Sequence, residues 1–108
     1  MYQGTTPAIV YTISGVDLSA MKAFVSFKEG NTLLTKSGDE VSMSYSDETT
    51  TIVCLLSQEE TLAFARGTVE TQIRFIDSNG MAYATNKAKV RVDDIIYKAV
   101  ISYGGDGE

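Results

Sequence analysis

The fold class is decided by the stretch TVETQIRFID at residues 68–77. Its apolar and polar residues alternate, which is typical of a strand with one buried face because successive side chains of a strand point to opposite sides. The inward face is predicted to hold Val69, Ile73 and Phe75, and the outward face Glu70, Gln72 and Arg74. We therefore predict a half-buried β-strand here.

Blocks with the same alternation recur along the chain, and Gly, Asn, Asp or Ser residues follow them. They lie at residues 8–13, 22–28, 32–36, 41–45, 49–56, 81–85 and 87–92. This pattern predicts an all-β fold, a single antiparallel β-sandwich of immunoglobulin-like type with seven or eight strands, rather than a closed barrel. Residues 52–56 are apolar on both faces, so we expect them to lie centrally in a sheet.

One short stretch of helix-forming residues interrupts this strand pattern. Ser57 and Glu60 have the spacing of a capping box, in which each side chain accepts a hydrogen bond from the main chain of the other residue. We predict one short helical turn near residues 58–63, with Gly67 placed to stop it.

This turn has a structural and a chemical interpretation. In the structural one, Leu62 and Phe64 plug one end of the sandwich. In the chemical one, Glu59 and Glu60 form a catalytic pair, but adjacent helical side chains diverge and no second acid or base is spaced to cooperate. We favour the structural interpretation.

Composition narrows the class of partner. The 108 residues suit one domain, and the nine Lys and Arg side chains are scattered along a chain of net charge −5. The alternating row Lys87, Lys89 and Arg91 is interpreted as a solvated strand face rather than a nucleic-acid footprint. With no apolar stretch approaching membrane length and no basic leader, we expect neither nucleic acid nor membrane as a partner, and synthesis in a cytoplasm.

The residue types that most enzymes use are scarce. The chain has no His, and its single Cys54 is expected to be a buried, inert thiol because no base is available to it. The turn DSNG at residues 77–80 resembles part of a calcium loop but lacks the further acidic ligands. We therefore predict no catalytic residue, no metal site and no cofactor, and a binding or assembly role rather than an enzyme.

The last apolar stretch, IIYKAVISY at residues 95–103, is the hardest to place. Its strand-like sequence is apolar on both faces and precedes GGDGE, which we expect to be a flexible acidic tail. We divide the chain into a sandwich at 1–94 and a terminal strand with its tail at 95–108, which can belong to the same domain. The strand is expected either to fill a central slot in its own sheet or to bury one face against another chain. The predicted partner-binding residues are Ile95, Ile96, Tyr97, Val100, Ile101 and Tyr103.

Five stretches are similar to small tail-associated proteins of prophages in Gram-positive bacteria. They are YQGTTPAIVYTI (2–13), GVDLSAMKAFVSF (15–27), LLTKSGDEVSM (33–43), LLSQEETLAFARGTVETQIRF (55–75) and DSNGMAYAT (77–85). Their order resembles the N-terminal domain of the phage baseplate upper protein over residues 2 to about 94. The resemblance implies a β-sandwich that docks onto the tail baseplate. The baseplate protein continues into a long region that bears receptor-binding proteins, so for a chain ending at Glu108 we expect a docking or adaptor role.

Two functions follow as expectations. The first is a non-enzymatic virion or tail-assembly protein, assembled in the bacterial host cytoplasm, that docks onto other tail or baseplate proteins or onto copies of itself by strand addition. The second is a carbohydrate-binding or adhesin-like module, for which the six tyrosines would supply a platform. We expect most of these tyrosines to pack at strand positions, which favours the first function.

Overall fold

Two antiparallel sheets pack face to face in the computed structural model, which describes residues 1–103. The strands within this range are β1 Ala8–Ser14, β2 Lys22–Glu29, β3 Thr32–Lys36, β4 Val41–Ser46, β5 Thr49–Leu55, β6 Gly67–Ile76, β7 Ala82–Ala84 and β8 Ala88–Val92. The helical elements are α1 Gln58–Leu62 and a 3-10 helix at Gly38–Glu40. The predicted all-β sandwich is confirmed.

The strand order is that of an immunoglobulin-like sandwich. One sheet has the order β1-β5-β4 and the other β3-β2-β6, with β7 and β8 both pairing with β6. In immunoglobulin domains, strands B, E and D lie in one sheet and C, F and G in the other. Here β1, β5 and β4 take the first three places, while β2, β6 and the β7–β8 pair take the others. Strand β3 is the additional neighbour of β2.

The core lies between the sheets and is built from the inward positions of the strands. Fully enclosed apolar side chains are Val25, Phe27, Ile52, Cys54, Val69, Ile73 and Val92. The alternation predicted for β6 is confirmed, because Val69, Ile73 and Phe75 are buried while Glu70 and Arg74 are exposed and Gln72 is half-buried. Thr71 is also inward, at 2% exposure.

Strand β5 is central, as predicted, since it pairs with β1 on one side and β4 on the other. Its two faces differ, however. Ile52 and Cys54 are completely buried, whereas Leu55 on the opposite face is 52% exposed. The outer face of β5 is therefore not covered by a second layer, although β5 is the central strand of its sheet.

A β-bulge divides the edge strand that runs beside β6. Two residues of β6 lie between the paired segments, at positions 72–73, whereas three residues of the edge strand lie opposite them, at 85–87. Thr85 closes this mismatch: its N–H donates to the carbonyl of Ile73 at 2.9 Å, and its Oγ1 accepts from the N–H of Ile73 at 3.1 Å. A bulge of this kind makes an edge strand less regular as a template for pairing.

The short helix α1 forms the corner between β5 and β6. The predicted capping box is present, with Ser57 Oγ accepting from the N–H of Glu60 at 3.1 Å and Glu60 Oε1 accepting from the N–H of Ser57 at 2.8 Å. Of the two predicted plugs, Phe64 is buried at 1% exposure with its ring centroid 6.3 Å from that of Phe27, whereas Leu62 is half-buried. Gly67 does not stop the helix, because α1 already ends at Leu62 and Gly67 begins β6.

The strand predicted over residues 95–103 is not formed, and these residues follow an irregular path. A central slot is not open to them, because β5 and β6 are each paired on both sides and β2 lies between β3 and β6. The predicted acidic tail at 104–108 lies outside the described residues. No helix within residues 1–103 combines the length and the apolar character required to cross a lipid bilayer.

Candidate docking surface

Residues 95–103, called the terminal segment below, leave the sandwich at a fixed point. Tyr2 and Asp93 form an isolated parallel bridge. The N–H of Gln3 donates to the carbonyl of Asp93 at 3.0 Å, and the N–H of Asp93 donates to the carbonyl of Met1 at 2.8 Å. The N-terminus therefore pairs with the chain just after β8, and the terminal segment starts beside it.

The side chain of Gln3 connects this segment to the corner of the sandwich. Gln3 is only 6% exposed, and its Nε2 donates to the carbonyl of Phe64 at 2.6 Å. Its Oε1 accepts from Lys98 Nζ at 2.7 Å. Both ends of the carboxamide are thus paired, as buried polar groups generally are, and one of the two partners belongs to the terminal segment.

A second carboxamide, that of Gln58 in the first turn of α1, binds the main chain of Ile101. Its Oε1 accepts from the N–H of Ile101 at 2.7 Å, and its Nε2 donates to the carbonyl of Ile101 at 2.9 Å. One residue of a neighbouring strand exchanges the same two bonds in an antiparallel sheet. Because Gln58 contacts main-chain atoms, this contact does not depend on the side chain of residue 101.

Gly4 provides the space for the first residue of the segment. A Cβ added at Gly4 would lie 2.7 Å from Ile95 Cδ1 and 3.6 Å from Leu62 Cδ2, and the φ angle of Gly4 is +69°. Ile95 is half-buried there. The structure therefore places Ile95 against the N-terminal residues and the end of α1.

The other five predicted partner residues face solvent. Their exposed fractions are Ile96 102%, Tyr97 66%, Val100 51%, Ile101 61% and Tyr103 106%. Contiguous exposed apolar side chains mark interaction sites more often than isolated ones do. The predicted residues thus lie in one irregular segment, which is held through the main chain of Ile101 and the side chains of Lys98 and Ile95.

The same end of the sandwich holds an ionic cluster of Lys36, Glu40 and Glu60. Lys36, the last residue of β3, is 3% exposed, and its Nζ lies 2.7 Å from both carboxylate oxygens of Glu60. It also donates to the carboxylate of Glu40 in the 3-10 helix. The Glu60 carboxylate therefore has two roles, since it caps α1 and binds Lys36.

These contacts keep the cluster ionised. Burial acts to lower the pKa of Lys36, but its hydrogen bonds with Glu40 and Glu60 outweigh burial and hold the pKa above its usual value. Burial acts to raise the pKa of Glu60, but the Lys36 ammonium and the N–H of Ser57 outweigh burial and hold the pKa below its usual value. Glu60 is thus engaged in structural contacts, while its neighbour Glu59 is exposed.

The Cys54 thiol and the Asp77 carboxylate, two groups considered in the sequence analysis, have structural roles. The predicted burial of Cys54 is confirmed, and burial raises the pKa of its thiol to about 11. In the turn after β6, Asp77 Oδ1 accepts from the N–H groups of Asn79 and Met81, each at 2.9 Å. Within residues 1–103, no three His, Cys, Asp or Glu side chains converge as a group suited to a metal ion.

The tyrosines are more exposed than expected. Only Tyr11 is half-buried, whereas the other five are exposed by 40% or more: Tyr2, Tyr45, Tyr83, Tyr97 and Tyr103. Packing at strand positions therefore does not account for most of them. They are distributed over the N-terminus, β4, β7 and the terminal segment.

Sequence reasoning missed the two glutamines that bind the terminal segment. Gln58 and Ile101 are separated by 43 positions, and Gln3 and Lys98 by 95. A glutamine near a chain end or in a first helical turn has no local signature of such a partner. The capping box was the one local signal, because it predicted the helix that carries Gln58.

Neither a search of protein-family models nor a search of curated proteins finds a match for this chain.

Proposed function

We propose that this protein is a non-enzymatic structural protein of a phage tail, and that it assembles by docking its terminal segment onto a protein partner. The partner is another tail or baseplate protein or a second copy of the chain, and the assembled protein resides in the virion. The setting in a tail rests on the resemblance of residues 2 to about 94 to the baseplate upper protein.

The observation that supports docking most directly is the contrast within the terminal segment. Gln58 binds both main-chain groups of Ile101, while the side chains of Ile101 and its apolar neighbours remain more than half exposed. Covering such side chains is favourable at about 25 cal/mol per Å² of apolar surface. The segment is therefore positioned by the sandwich and still has apolar surface for a partner.

The proposal is tested by following the protein into tail particles. The chain and its variant Tyr97→Ser/Ile101→Ser are expressed in the source bacterium, prophages are induced, and purified tails are examined by mass spectrometry. We expect the unchanged chain in the particles and a several-fold lower amount of the variant. The matched control Leu33→Ser/Tyr83→Ser removes two exposed apolar side chains elsewhere, at 68% and 49% exposure, and should be incorporated normally. A chain absent from purified tails would overturn the tail assignment.

One observation favours a second function, namely carbohydrate binding. Five of the six tyrosines are exposed, and exposed aromatic rings are suited to stacking on sugar rings. In this case a glycan array should give hits that Tyr97→Ser or Tyr103→Ser abolishes. An array without hits would leave the docking function as the better supported one.

A further inference from the structure

We infer that the terminal segment is exchanged between two copies of this chain, so that Gln58 of one protomer binds the main chain of Ile101 of the other. The inference rests on the proposed docking function and names the partner as a second copy. Exchange of an identical element between protomers is a low-cost route to a dimer, because the contacts broken in the monomer are remade in the dimer.

The surface that receives the segment is present on every copy. It consists of the Gln58 carboxamide, the Oε1 of Gln3 and the space above Gly4, which contact Ile101, Lys98 and Ile95 respectively. The Gln58–Ile101 and Gln3–Lys98 contacts do not require the segment to belong to the same chain, whereas Ile95 lies only two residues after Asp93, which pairs with Met1 and Gln3 of its own chain. A second copy therefore offers a ready-made site for this particular segment.

The chain between the sandwich and the segment can act as the hinge. Asp93 is held by main-chain pairing with Met1 and Gln3, and the segment begins two residues later. Asp94 lies between them, and its contacts within residues 1–103 are exposed ion pairs, at 3.6 Å to Arg66 and 3.2 Å to Lys98. Exposed pairs contribute little to stability. A change of direction at Asp94 therefore breaks few contacts.

The exposed apolar area of the terminal segment is also large enough for an interface with a second copy. In the monomer, five apolar side chains of the segment are more than half exposed. Two of them are tyrosines, which bury about 150–250 Å² each when fully covered. With the three aliphatic side chains they offer several hundred Å² per chain, on the order of the 600 Å² per partner that small specific interfaces bury. Two exchanged segments packed about a two-fold axis would cover this surface mutually.

Charge does not oppose the approach of two segments. Lys98 is the single charged residue within positions 95–103. Its ammonium lies 2.7 Å from Gln3 Oε1 and 3.2 Å from Asp94 Oδ1, and it keeps the Gln3 contact when the segment is exchanged. The exchanged arrangement therefore buries apolar side chains without creating an unpaired charge.

The experiment detects whether Ile101 reaches the helix of another chain. Glu59→Cys and Ser102→Cys place thiols at exposed positions adjacent to Gln58 and Ile101, so both partners of the contact stay intact. The two single variants are mixed and treated with a short bis-maleimide, and linked chains are separated by mass. Cys54 is fully buried, so the unmodified protein serves as the control for labelling of the native thiol.

We expect a linked species containing one chain of each variant, in clear excess over the mixture of Glu59→Cys with Ser44→Cys, whose thiol lies on β4. Adding Gln58→Ala to both chains should lower the linked fraction on the order of tenfold, because the two hydrogen bonds to Ile101 are lost at each site. Light scattering coupled to gel filtration should give the mass of a dimer for the full chain.

Two outcomes would overturn the exchange. In the first, the full chain is a dimer but the mixture of Glu59→Cys and Ser102→Cys gives no more linked species than the mixture of Glu59→Cys with Ser44→Cys, so the segment docks without exchanging. In the second, the full chain remains a monomer at every concentration. Neither result bears on incorporation into tails, which tests the proposed function separately.

Discussion

The phenolic oxygen of Tyr11 on β1 lies 2.6 Å from Oγ1 of Thr71 on β6, and this hydrogen bond joins the two sheets across the core. Thr71 is 2% exposed, so its hydroxyl is well shielded from water. Burial raises the pKa of Tyr11 to about 12, and the phenol is therefore protonated at neutral pH. A hydrogen bond between the sheets, with one partner buried, helps to specify how the sheets face each other.

Removing this contact should destabilise the sandwich. Tyr11→Phe leaves the Thr71 hydroxyl unpaired, which costs about 1–2 kcal/mol of unfolding free energy. Urea denaturation measures it, with Tyr45→Phe as the control at an exposed tyrosine. The double variant Tyr11→Phe/Thr71→Val should lose less than the sum of the single changes. Equal stability of Tyr11→Phe and Tyr45→Phe would contradict the prediction.

Glu60→Gln should also destabilise the protein, by about 1–3 kcal/mol, because it removes a charged hydrogen-bond partner of the buried Lys36 ammonium. The carboxamide oxygen can still accept from the N–H of Ser57, so the loss reports mainly on Lys36. Glu59→Gln is the matched control at an exposed neighbour. If both variants unfold at the same urea concentration, the ionic cluster contributes no measurable stability.

Because of the ionic cluster, we expect the free energy of unfolding to fall in acid and in alkali. The folded-state pKa of Glu60 lies below 4.5, so its contribution is complete above pH 4.5 and is lost as pH falls through the folded-state value. The folded-state pKa of Lys36 lies above 10.5, so its contribution is complete below pH 10.5 and is lost as pH rises through the folded-state value. The stability difference between the unchanged protein and Glu60→Gln should therefore shrink in acid. A difference that stays constant below pH 4.5 would argue against the assignment.

Gly4→Ala should release the terminal segment. Its added Cβ would lie 2.7 Å from Ile95 Cδ1, so Ile95 must move. Gly15→Ala is the control, since Gly15 also has a positive φ, of +86°, but no atom within 4 Å of an added Cβ. Both variants carry backbone strain of about 1 kcal/mol. Only Gly4→Ala should speed amide hydrogen exchange at Ile101, and equal exchange in both variants would contradict this.

Thr85→Val should weaken the edge of the larger sheet. The hydroxyl of Thr85 accepts the N–H of Ile73, a residue with no exposed surface, and valine cannot replace it. We expect a loss of about 1–3 kcal/mol, the cost of an unsatisfied buried donor. Thr85→Ser keeps the hydroxyl and should retain most of the stability. A valine variant as stable as the serine variant would show that the bulge does not depend on this bond.

The sequence predicted the strand alternation and the helix start because both depend on residues close together in the chain. The alternation at 68–77 identified the buried face of β6, and Ser57 with Glu60 identified the start of α1, since both depend on residues within a few positions. The expected terminal strand at 95–103 failed for a non-local reason. Its sequence suits a strand, but a central slot between two strands is not open, because β5, β6 and β2 are already paired on both sides.

The sequence indicated which residues of the terminal segment are apolar, but not the groups that hold this segment. Hydrophobicity alone indicated that burial of Ile96, Tyr97 and Ile101 is favourable, because apolar surface is unfavourable in water whatever the fold. It contains no information about which main-chain groups hold them, and the partners Gln58 and Gln3 are brought there by the corner after β5 and by the pairing of the N-terminus with Asp93. The amino-acid order thus set which residues are apolar, which alternate and which cap a helix. Which residues contact each other was decided by the tertiary structure, because the pairing of one strand depends on how all the other strands are paired.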